Sequence, residues 1–273
     1  MDREFAQKKL LERQLTQQEA LQIIKEFREE EARLSMEQAQ REVLRHRKTI
    51  LSGFSKYDLS DEVQYQVHSN LIAQFGRNYM LREFSTFQID EHNRNVLRFL
   101  TYYFNDCKLA EEVFPDEDYK LHKNILLIGE PGTGKTMLMQ IFSDYLKATE
   151  NANYFKNISI TQLMNYYKIN SHIDRYTYNE LADMRSFEGN PFNVCLHDLG
   201  LKTEKQKSFG TLLTQITDEF LFARYEIYQQ CGKRYHITSN LTVKDFKERF
   251  EERLVDRFKS FNVIELHGDS RRK

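Results

Sequence analysis

The sequence predicts an α/β protein in which a parallel sheet is covered by helices and is preceded by an all-helical N-terminal region. Strand-like and helix-like segments alternate from His122 onward, which favours parallel strands joined by helices. By contrast, residues 1–52 contain neither glycine nor proline, as is typical of long helices. The chain has 273 residues, of which 40% are apolar, and this is enough for a sizeable core and excludes wholesale disorder.

The N-terminal region, residues 1–95, is predicted to be helical and to bind a partner. Up to residue 52 we expect one or two long exposed helices, because apolar residues recur there at roughly helical intervals: Phe5, Leu11, Leu15, Leu21, Ile24, Phe27 and Leu34. A thin apolar stripe needs another surface to bury it, so we favour a partner-docking arm over a solvated arm. Amphipathic helices follow up to residue 103, with breaks expected at Gly76 and between Phe84 and Phe87.

Five short strands are expected in the rest of the chain, at residues 124–128, 154–158, 193–197, 235–239 and 263–266. The first is a continuous apolar run, as expected of a parallel strand that is buried on both faces. Helical patterns separate the strands, and the longest of them runs from about residue 206 to residue 228.

Composition also indicates where the protein works. No apolar run is long enough to cross a membrane, and the charged residues 1–4 give no reason to expect a secretory signal. The three cysteines, Cys107, Cys195 and Cys231, lie far apart, so we expect no disulfide framework and no cysteine zinc site but a cytoplasmic protein. The formal net charge of −1 neither requires nor excludes binding to nucleic acid.

The strongest motif is a phosphate-binding loop at residues 129–136, which matches G-x-x-x-x-G-K-[ST] completely. Its glycines let successive backbone N–H groups point at a phosphate, and the helix that follows adds a positive partial charge. We expect the lysine to reach the β- and γ-phosphates of a nucleotide and the threonine hydroxyl to ligate Mg²⁺. The predicted nucleotide-binding residues are Gly129, Pro131, Gly132, Thr133, Gly134, Lys135 and Thr136.

A phosphate-binding loop alone does not distinguish kinases, GTPases and motor-like ATPases. The second half of such a site is an apolar strand that ends in acidic residues, and the candidate strand here ends in His197–Asp198–Leu199–Gly200. Two later segments each carry a pair of arginines. They are residues 252–258 and residues 268–272.

Together these features resemble the DnaC/IstB-like AAA+ ATPases, a family of replicative helicase loaders and transposition helper ATPases. The strand end resembles the family's acidic motif, and Thr238–Ser239–Asn240–Leu241 resembles its sensor-one strand end. Residues 252–258 resemble its arginine-finger box, with Glu251 where glycine is usual, and residues 268–272 resemble its terminal sensor-two segment. The motifs stand in the family's order, and the resemblance covers residues 95 to 273.

The resemblance implies a P-loop AAA+ core over residues 96–273 that binds and hydrolyses ATP with Mg²⁺. Thr136 and Asp198 would serve the metal, Arg271 would contact the nucleotide, and Arg257 would assist an arginine finger. The catalytic residues that the resemblance implies are Lys135, Asp198, Asn240 and Arg253. Such a loader would grip a replicative helicase through its N-terminal helices, bind single-stranded DNA and self-associate through the ATP site, where Arg253 reaches the ATP of a neighbouring subunit.

One residue departs from the family pattern. When the strand is aligned on Leu199–Gly200, His197 occupies the place of the Mg²⁺-supporting aspartate and Asp198 that of the acidic residue that orients the attacking water. Mg²⁺ prefers oxygen ligands, so an imidazole is a poor replacement. Asp198 could serve the metal through water with slow hydrolysis, or the protein could be an ATP-binding switch with little turnover. His197 could also be a structural histidine.

Several assignments have a simpler alternative. Arg249, Arg253 and Arg257 are spaced to line one face of a single helix, which is also the pattern of a solvated charged face. Asn240 could cap the next helix instead of orienting water. Arg271 could belong to a frayed basic tail.

A segment that interleaves tyrosines with basic residues is the candidate DNA contact. It comprises residues 162–168 followed by His172, Arg175, Tyr176 and Tyr178. Bases stack on tyrosine rings while lysine and arginine contact phosphates, and a near-neutral chain predicts a modest, salt-sensitive affinity. The alternative is that about half of these tyrosines belong to the core.

Three other functions remain open at this point. A transposition helper would have the same core but would bind a transposase and its target DNA. A non-catalytic ATP-gated adaptor would bind ATP without appreciable hydrolysis. A small-molecule kinase would be a monomer with a lid in place of an arginine box.

Overall fold

The computed structural model describes residues 17–52, 58–82, 84–177, 191–200, 207–208 and 211–271 of the chain. The chain divides into two units, residues 1–51 and residues 52–273. The predicted boundary at residue 95 therefore differs from the structure. The reason is that side chains from residues 59 to 104 join the same hydrophobic core as the sheet, so this helical stretch belongs to the larger unit.

The smaller unit consists, in its described part, of one helix of 36 residues, α1 (Gln17–Ser52). A single long helix is one of the two forms that the sequence predicts. Leu34 and Met36 lie exposed on this helix. Phe5, Leu11 and Leu15 of the predicted stripe lie outside the described residues.

Two helices precede the sheet in the larger unit, α2 (Glu62–Leu81) and α3 (Arg94–Phe104). The predicted break at Gly76 is wrong, because α2 continues through it. A Cβ at this position would lie 2.6 Å from the ring of Phe87, so the glycine lets that ring pack directly on the helix. The break comes later, beside the exposed Phe84, whose φ of 50° ends the helical path.

Helix α2 packs on the helix that follows the phosphate-binding loop, α4 (Lys135–Ala148). The buried His68 ring is hydrogen-bonded through Nδ1 to the hydroxyl of Tyr145. Closer to the loop, the Tyr79 hydroxyl donates to the Asp144 carboxylate at 2.7 Å. Both contacts are made in the C-terminal half of α4, whereas Met80, near the end of α2, lies at the candidate site, where it lines a cavity with Gly134 and Met137.

Five parallel strands form the main sheet, and the order across it is β2-β3-β6-β1-β7. The strands are β1 (Asn124–Ile128), β2 (Phe155–Ser159), β3 (Asn193–Leu199), β6 (Tyr235–Ser239) and β7 (Phe261–Glu265). A short antiparallel pair, β4 (Lys207–Ser208) and β5 (Thr211–Leu212), stands apart from it. The prediction of a parallel α/β sheet is confirmed, and each strand lies within two residues of its expected place.

Both faces of the sheet are buried, as the apolar run in β1 predicts. Ile125 and Leu127 join one core with α3 and α4, whereas Leu126 and Ile128 join a second core on the opposite face. The remaining described α-helices are α5 (Ile160–Asn170), α6 (Leu213–Cys231), α7 (Val243–Arg249) and α8 (Glu252–Arg257). Within the described residues, no helix has the length and apolarity that a membrane span requires.

The strand order places the candidate residues at one edge of the sheet. Strands β3, β6 and β1 are neighbours, and parallel strands end at the same edge. The phosphate-binding loop follows β1, Asp198 lies near the end of β3, and Asn240 follows β6. In open parallel sheets, ligands bind beyond the carboxyl ends of the strands, and this edge is such a place.

Candidate active site

The loop of residues 129–136 connects β1 to α4 through a tightly folded backbone. Gly129 and Gly132 have φ values of 143° and 91°, in the region that disfavours side chains. A Cβ on Gly129 would lie 2.3 Å from the carbonyl oxygen of Leu266, and one on Gly132 would lie 2.2 Å from Oγ of Ser270. The loop therefore packs directly on the C-terminal segment, in the form of cradle that a phosphate group fits.

Lys135 brings a positive charge into this loop. The residue is 5% exposed, and its ammonium group donates to the carbonyl oxygens of Gly129 and Glu130 at 2.7 and 2.8 Å. These bonds hold the charge on the inner side of the loop. A nucleotide phosphate offers the same ammonium group a charged acceptor, which is a stronger partner than a carbonyl.

Thr136 and Asp198 meet across the edge of the sheet. The Thr136 hydroxyl lies 3.5 Å from Oδ1 of Asp198, at the limit of a hydrogen bond. Both groups are hard oxygen donors, which are the ligands that Mg²⁺ prefers, and Mg²⁺ in nucleotide sites needs only one or two protein groups beside phosphate and water. The pair therefore fits the metal that the sequence predicts, although no group of three or more acidic, histidine or cysteine side chains in the described part of the chain is arranged to hold a metal ion.

His197 does not face the site. It is 2% exposed, its Nε2 lies 2.9 Å from the side-chain oxygen of Asn157, and its Nδ1 lies 3.2 Å from the hydroxyl of Thr238. Burial lowers the pKa of His197 to about 4, so the ring is neutral at ordinary pH. The expectation that this imidazole occupies the metal-supporting position is therefore wrong, and the structural alternative describes its surroundings.

A β-bulge accounts for the difference. Leu196 pairs with Ile237 and Leu199 pairs with Ser239, so β3 uses one more residue than β6 over the same distance. Asp198 has a φ of 62° within this bulge. An alignment by residue count assumes a regular strand, and the extra residue brings Asp198 beside Thr136 instead.

Asn240 completes one side of the site. A cavity of about 400 Å³ is lined by Lys135, Thr136, Asp198 and Asn240 among others. Asn240 does not cap the next helix, because the N-cap of α7 is Thr242, whose hydroxyl accepts from the N–H of Asp245. The capping alternative for Asn240 is therefore wrong.

The comparison with known families agrees with this geometry. The model of the AAA domain (dynein-related subfamily) matches residues 124–258, which include the phosphate-binding loop, Asp198 and Asn240. This chain carries an AAA+ domain. Proteins with this domain are ATPases in general, and the AAA+ part of the resemblance is confirmed.

The AAA+ chain is also similar to solved structures. One is the crystal structure of the DnaC helicase loader, with 16% identity over 66% of this chain and 92% of that chain, at a TM-score of 0.44. Another is AMPPCP-bound DnaA from Aquifex aeolicus, with 17% identity over 67% of this chain and a TM-score of 0.43. The match covers 49% of that DnaA chain, about half its length. A search of curated proteins gave no match.

A second cavity adjoins the first. It measures about 310 Å³, and its walls include the apolar side chains Met80, Phe87 and Met137. Arg271, Gly134 and two of these apolar residues line both cavities. Sequence reasoning assigned residues 80–93 to the helical N-terminal region and missed this wall, since no motif marks it.

Arg271 joins the C-terminal segment to this wall. Its Nη2 donates to both carboxylate oxygens of Asp90 at 2.8 and 3.0 Å, and its backbone N–H donates to the carbonyl of Gly132 at 2.9 Å. Partial burial raises the pKa of Asp90, but Arg271 and the backbone N–H groups of His92 and Asn93 outweigh it and bring the pKa below its usual value. The frayed-tail alternative is wrong for Arg271, and Arg272 lies outside the described residues.

The arginine box of the AAA+ domain does not form one helix. The backbone turns extended at Phe250, with ψ of 147°, so Arg249 lies on α7 and Arg253 on α8. The prediction that three arginines share a face is therefore wrong. Phe258 explains the break, because its ring contacts those of both Phe246 and Phe250 and folds the two helices together.

The three arginines have different surroundings. Arg249 lies 3.5 Å from Asp218, and the guanidinium of Arg257 lies over the rings of Phe222 and Tyr225 at 4.2 and 4.7 Å. Arg253 is exposed and makes no hydrogen bond or ion pair within the residues that the structure describes. It does not line either cavity of its own chain, so a role on nucleotide requires the site of another copy.

The candidate DNA segment forms α5 and the turn after it. Leu163 and Met164 are buried, and Tyr167 and Tyr176 are partly buried against the core, as the core alternative expects for about half of the tyrosines. The ring of Tyr166 lies 5.1 Å from that of Tyr176 and 5.7 Å from that of His172, so these aromatics contact one another. The guanidinium of Arg175 lies 5.9 Å from the rings of Tyr166 and Tyr176. Tyr178 lies outside the described residues.

Proposed function

We propose that this protein is an ATP-dependent helicase loader that binds ATP and Mg²⁺ in its AAA+ domain and hydrolyses the nucleotide slowly. The observation that carries the nucleotide part is the convergence of Lys135, Thr136, Asp198 and Asn240 on one cavity at the carboxyl edge of the sheet. The loader part rests on the order of the motifs in the sequence, which resembles that of the DnaC/IstB-like ATPases.

The proposed reaction is in-line attack of water on the γ-phosphate. Lys135 exchanges the carbonyl oxygens of its loop for phosphate oxygens and neutralises charge that develops in the transition state. Asn240, which is exposed in the same cavity, orients the water. Thr136 and Asp198 hold Mg²⁺, which, when bound, draws negative charge from the phosphates.

Slow turnover is proposed from the composition of the cavity. Asp198 is the one carboxylate among the described residues that line it. A carboxylate that serves the metal is a weaker base toward water, so a site with a single acidic group activates water less well than a site with two. The ATP-gated adaptor remains the second candidate for the same reason.

Assembly is proposed to complete the site. Arg253 is exposed on α8 and outside its own cavities, as a residue must be if it is to reach the ATP of a second copy. Arginine fingers supplied by a neighbour accelerate phosphoryl transfer by about 10³-fold or more in other NTPases. ATP would thereby couple self-association to hydrolysis.

The partners are proposed from the rest of the chain. Helix α1 exposes apolar residues, including Leu34 and Met36, and is the candidate surface for a replicative helicase. Single-stranded DNA is proposed to contact α5 and the turn after it through Tyr166 and Arg175. A transposition helper would use the same core and differ in binding a transposase.

A phosphate-release assay on the full-length protein tests the central claim. With ATP and Mg²⁺, the wild type is expected to release phosphate slowly, and Asp198→Asn is expected to abolish the release. Equal rates in the two proteins would contradict the ATPase hypothesis and favour the ATP-gated adaptor. Binding of the full chain to a purified replicative helicase, compared with binding to a purified transposase, separates the loader from the transposition helper.

A further inference from the structure

We propose that His197, Asn157 and Thr238 form a positioning network that holds Asp198 in place for the metal–nucleotide complex. The inference rests on the proposed function, because it concerns how Asp198 serves Mg²⁺–ATP. It accounts for the histidine that departs from the family pattern. His197 touches neither substrate nor metal on this reading and acts through its neighbours.

The β-bulge in β3 determines where Asp198 lies. Leu196 and Leu199 join the core on one face of the sheet, and Cys195 joins the core on the other face. In a regular strand Asp198 would share the face of Leu196, but the bulge gives that place to Leu199 and leaves Asp198 as the extra residue. The direction of its carboxylate therefore depends on whatever fixes the bulge.

Hydroxyl groups of β6 take the place of ladder hydrogen bonds at the bulge. The backbone N–H of Asp198 donates instead to the hydroxyl oxygen of Thr238 at 3.2 Å. The carbonyl of Leu199 accepts from the hydroxyl of Ser239 at 2.7 Å. Two side chains of β6 thus replace backbone partners on either side of the peptide that carries Asp198, and they hold it in a left-handed conformation that an aspartate rarely adopts.

The side-chain oxygen of Asn157 fixes the direction of the hydrogen bonds in the network. The side-chain oxygen of Asn157 can only accept, so Nε2 of His197 carries the proton and Nδ1 accepts from the Thr238 hydroxyl. With its own proton committed to His197, the Thr238 oxygen is oriented to accept from the Asp198 N–H. The chain of bonds therefore runs from β6 through His197 to β2 and fixes the orientation of the hydroxyl that accepts from the Asp198 N–H.

The surroundings of position 197 favour a histidine over an acidic residue. Position 197 is buried between Asn157 and Thr238, where an ionised carboxylate would be desolvated without a cation beside it. A neutral imidazole supplies one donor and one acceptor at this distance and carries no charge. A histidine at this place therefore stabilises the bulge without adding a charge. The group that serves the metal is then Asp198, whose carboxylate the bulge places beside the Thr136 hydroxyl.

A matched pair of substitutions at Thr238 tests the network in the full-length protein. Thr238→Val keeps the side-chain shape and removes the hydroxyl, whereas Thr238→Ser keeps the hydroxyl. Asn157→Leu removes the acceptor for His197 at the far end of the chain. Thr149→Val is the control, since it removes another fully buried threonine hydroxyl, one bonded only to carbonyls near the end of α4.

Two quantities are measured for each variant. The first is the affinity for an ATP analogue, determined once with Mg²⁺ and once with EDTA. The second is the kinetics of hydrolysis, given as kcat and KM. Thr238→Val and Asn157→Leu are expected to lose the gain in affinity that Mg²⁺ gives and to lower kcat by about tenfold or more, because a small displacement of a catalytic group is costly. Affinity in EDTA is expected to stay within about twofold of wild type, since the phosphate-binding loop is untouched. Thr238→Ser should restore both quantities, and Thr149→Val should lower only the melting temperature.

The outcomes separate the two claims. Wild-type affinity gain and kcat in both Thr238→Val and Asn157→Leu would overturn the network while leaving the proposed function intact. If Thr238→Val fails to fold, Asn157→Leu and Thr238→Ser decide the matter. A wild-type protein that binds no nucleotide with or without Mg²⁺ would overturn the proposed function and the network with it. If the wild type binds but does not hydrolyse ATP, the affinity readout alone decides for or against the network.

Discussion

The carboxylate of Asp90 and the guanidinium of Arg271 form an ion pair at 2.8 Å, and Arg271 lines both cavities of the candidate site. The pair lies beside the phosphate-binding loop, because the backbone of Arg271 is bonded to Gly132. Arg271 is also the residue that the family resemblance assigns to the nucleotide. We therefore propose that Asp90 and a nucleotide phosphate compete for the same guanidinium.

This competition predicts opposite effects of two substitutions on ATP affinity. Asp90→Asn should tighten binding by about threefold, since it removes the competing charge, and a partly exposed ion pair contributes only about 1 kcal/mol. Asparagine keeps an acceptor for the N–H groups of His92 and Asn93, so the local turn should survive. Arg271→Ala should weaken binding. Titration with a fluorescent ATP analogue measures both, and weaker binding by Asp90→Asn would show that the pair positions Arg271 instead of restraining it.

Lys135 is predicted to carry much of the affinity for the triphosphate. Lys135→Ala removes a nearly buried ammonium group from the inside of the loop and should weaken ATP binding by between about 10- and 100-fold. Lys147→Ala, near the other end of the same helix, is the control and should leave the affinity unchanged. Equal affinities in the two variants, measured by calorimetry, would contradict a phosphate site at residues 129–136.

The parts of the fold that the sequence predicts are those with local signals. The five strands, the phosphate-binding loop and the candidate acidic residue all follow from short patterns of apolar residues and glycines. The bulge at Asp198 does not, because it depends on pairing between β3 and β6, and counting residues along one strand cannot detect it. The wall formed by Asp90 and Met80 was missed for a similar reason, since Met80 reaches the site through the packing of α2 on α4 and Asp90 through its ion pair with Arg271.

The arginine box gives a third example and a prediction. Phe246, Phe250 and Leu254 recur at a helical interval and are buried, but the packing of Phe258 breaks the helix and separates the arginines. Arg253→Ala is therefore predicted to reduce ATP-dependent self-association and hydrolysis without a change in melting temperature, because the side chain is exposed.

Arg257→Ala should behave in the opposite way. It removes a guanidinium from above the rings of Phe222 and Tyr225 and is expected to lower stability by about 1 kcal/mol. Light scattering with ATP and thermal unfolding distinguish the two variants. A monomeric wild type with and without ATP, or an Arg253→Ala variant that still assembles as the wild type does, would contradict the assignment of Arg253 as the finger.

The buried His236 predicts that stability falls in mild acid. Its Nδ1 accepts from the backbone N–H of Ile125, aromatic rings surround it, and burial holds its pKa well below the usual 6.5, with nearby Arg234 adding in the same direction. In the unfolded chain the ring takes up a proton below about pH 6.5, whereas in the folded protein it does not. Stability is therefore complete above that pH and decreases as the pH falls, by up to about 1.4 kcal/mol per unit for one group.

Urea unfolding at pH 7.5 and pH 5.5 measures this loss. His236→Asn keeps an acceptor for the Ile125 N–H and removes the titrating ring. It should lower the free energy of unfolding at both pH values. The difference in that free energy between pH 7.5 and pH 5.5 should be smaller than in the wild type. His197 is also buried with a lowered pKa, so part of the difference should remain. A variant with the full wild-type pH dependence would mean that His236 is protonated in the folded core, against the apolar rings of Phe104 and Phe155 that enclose it.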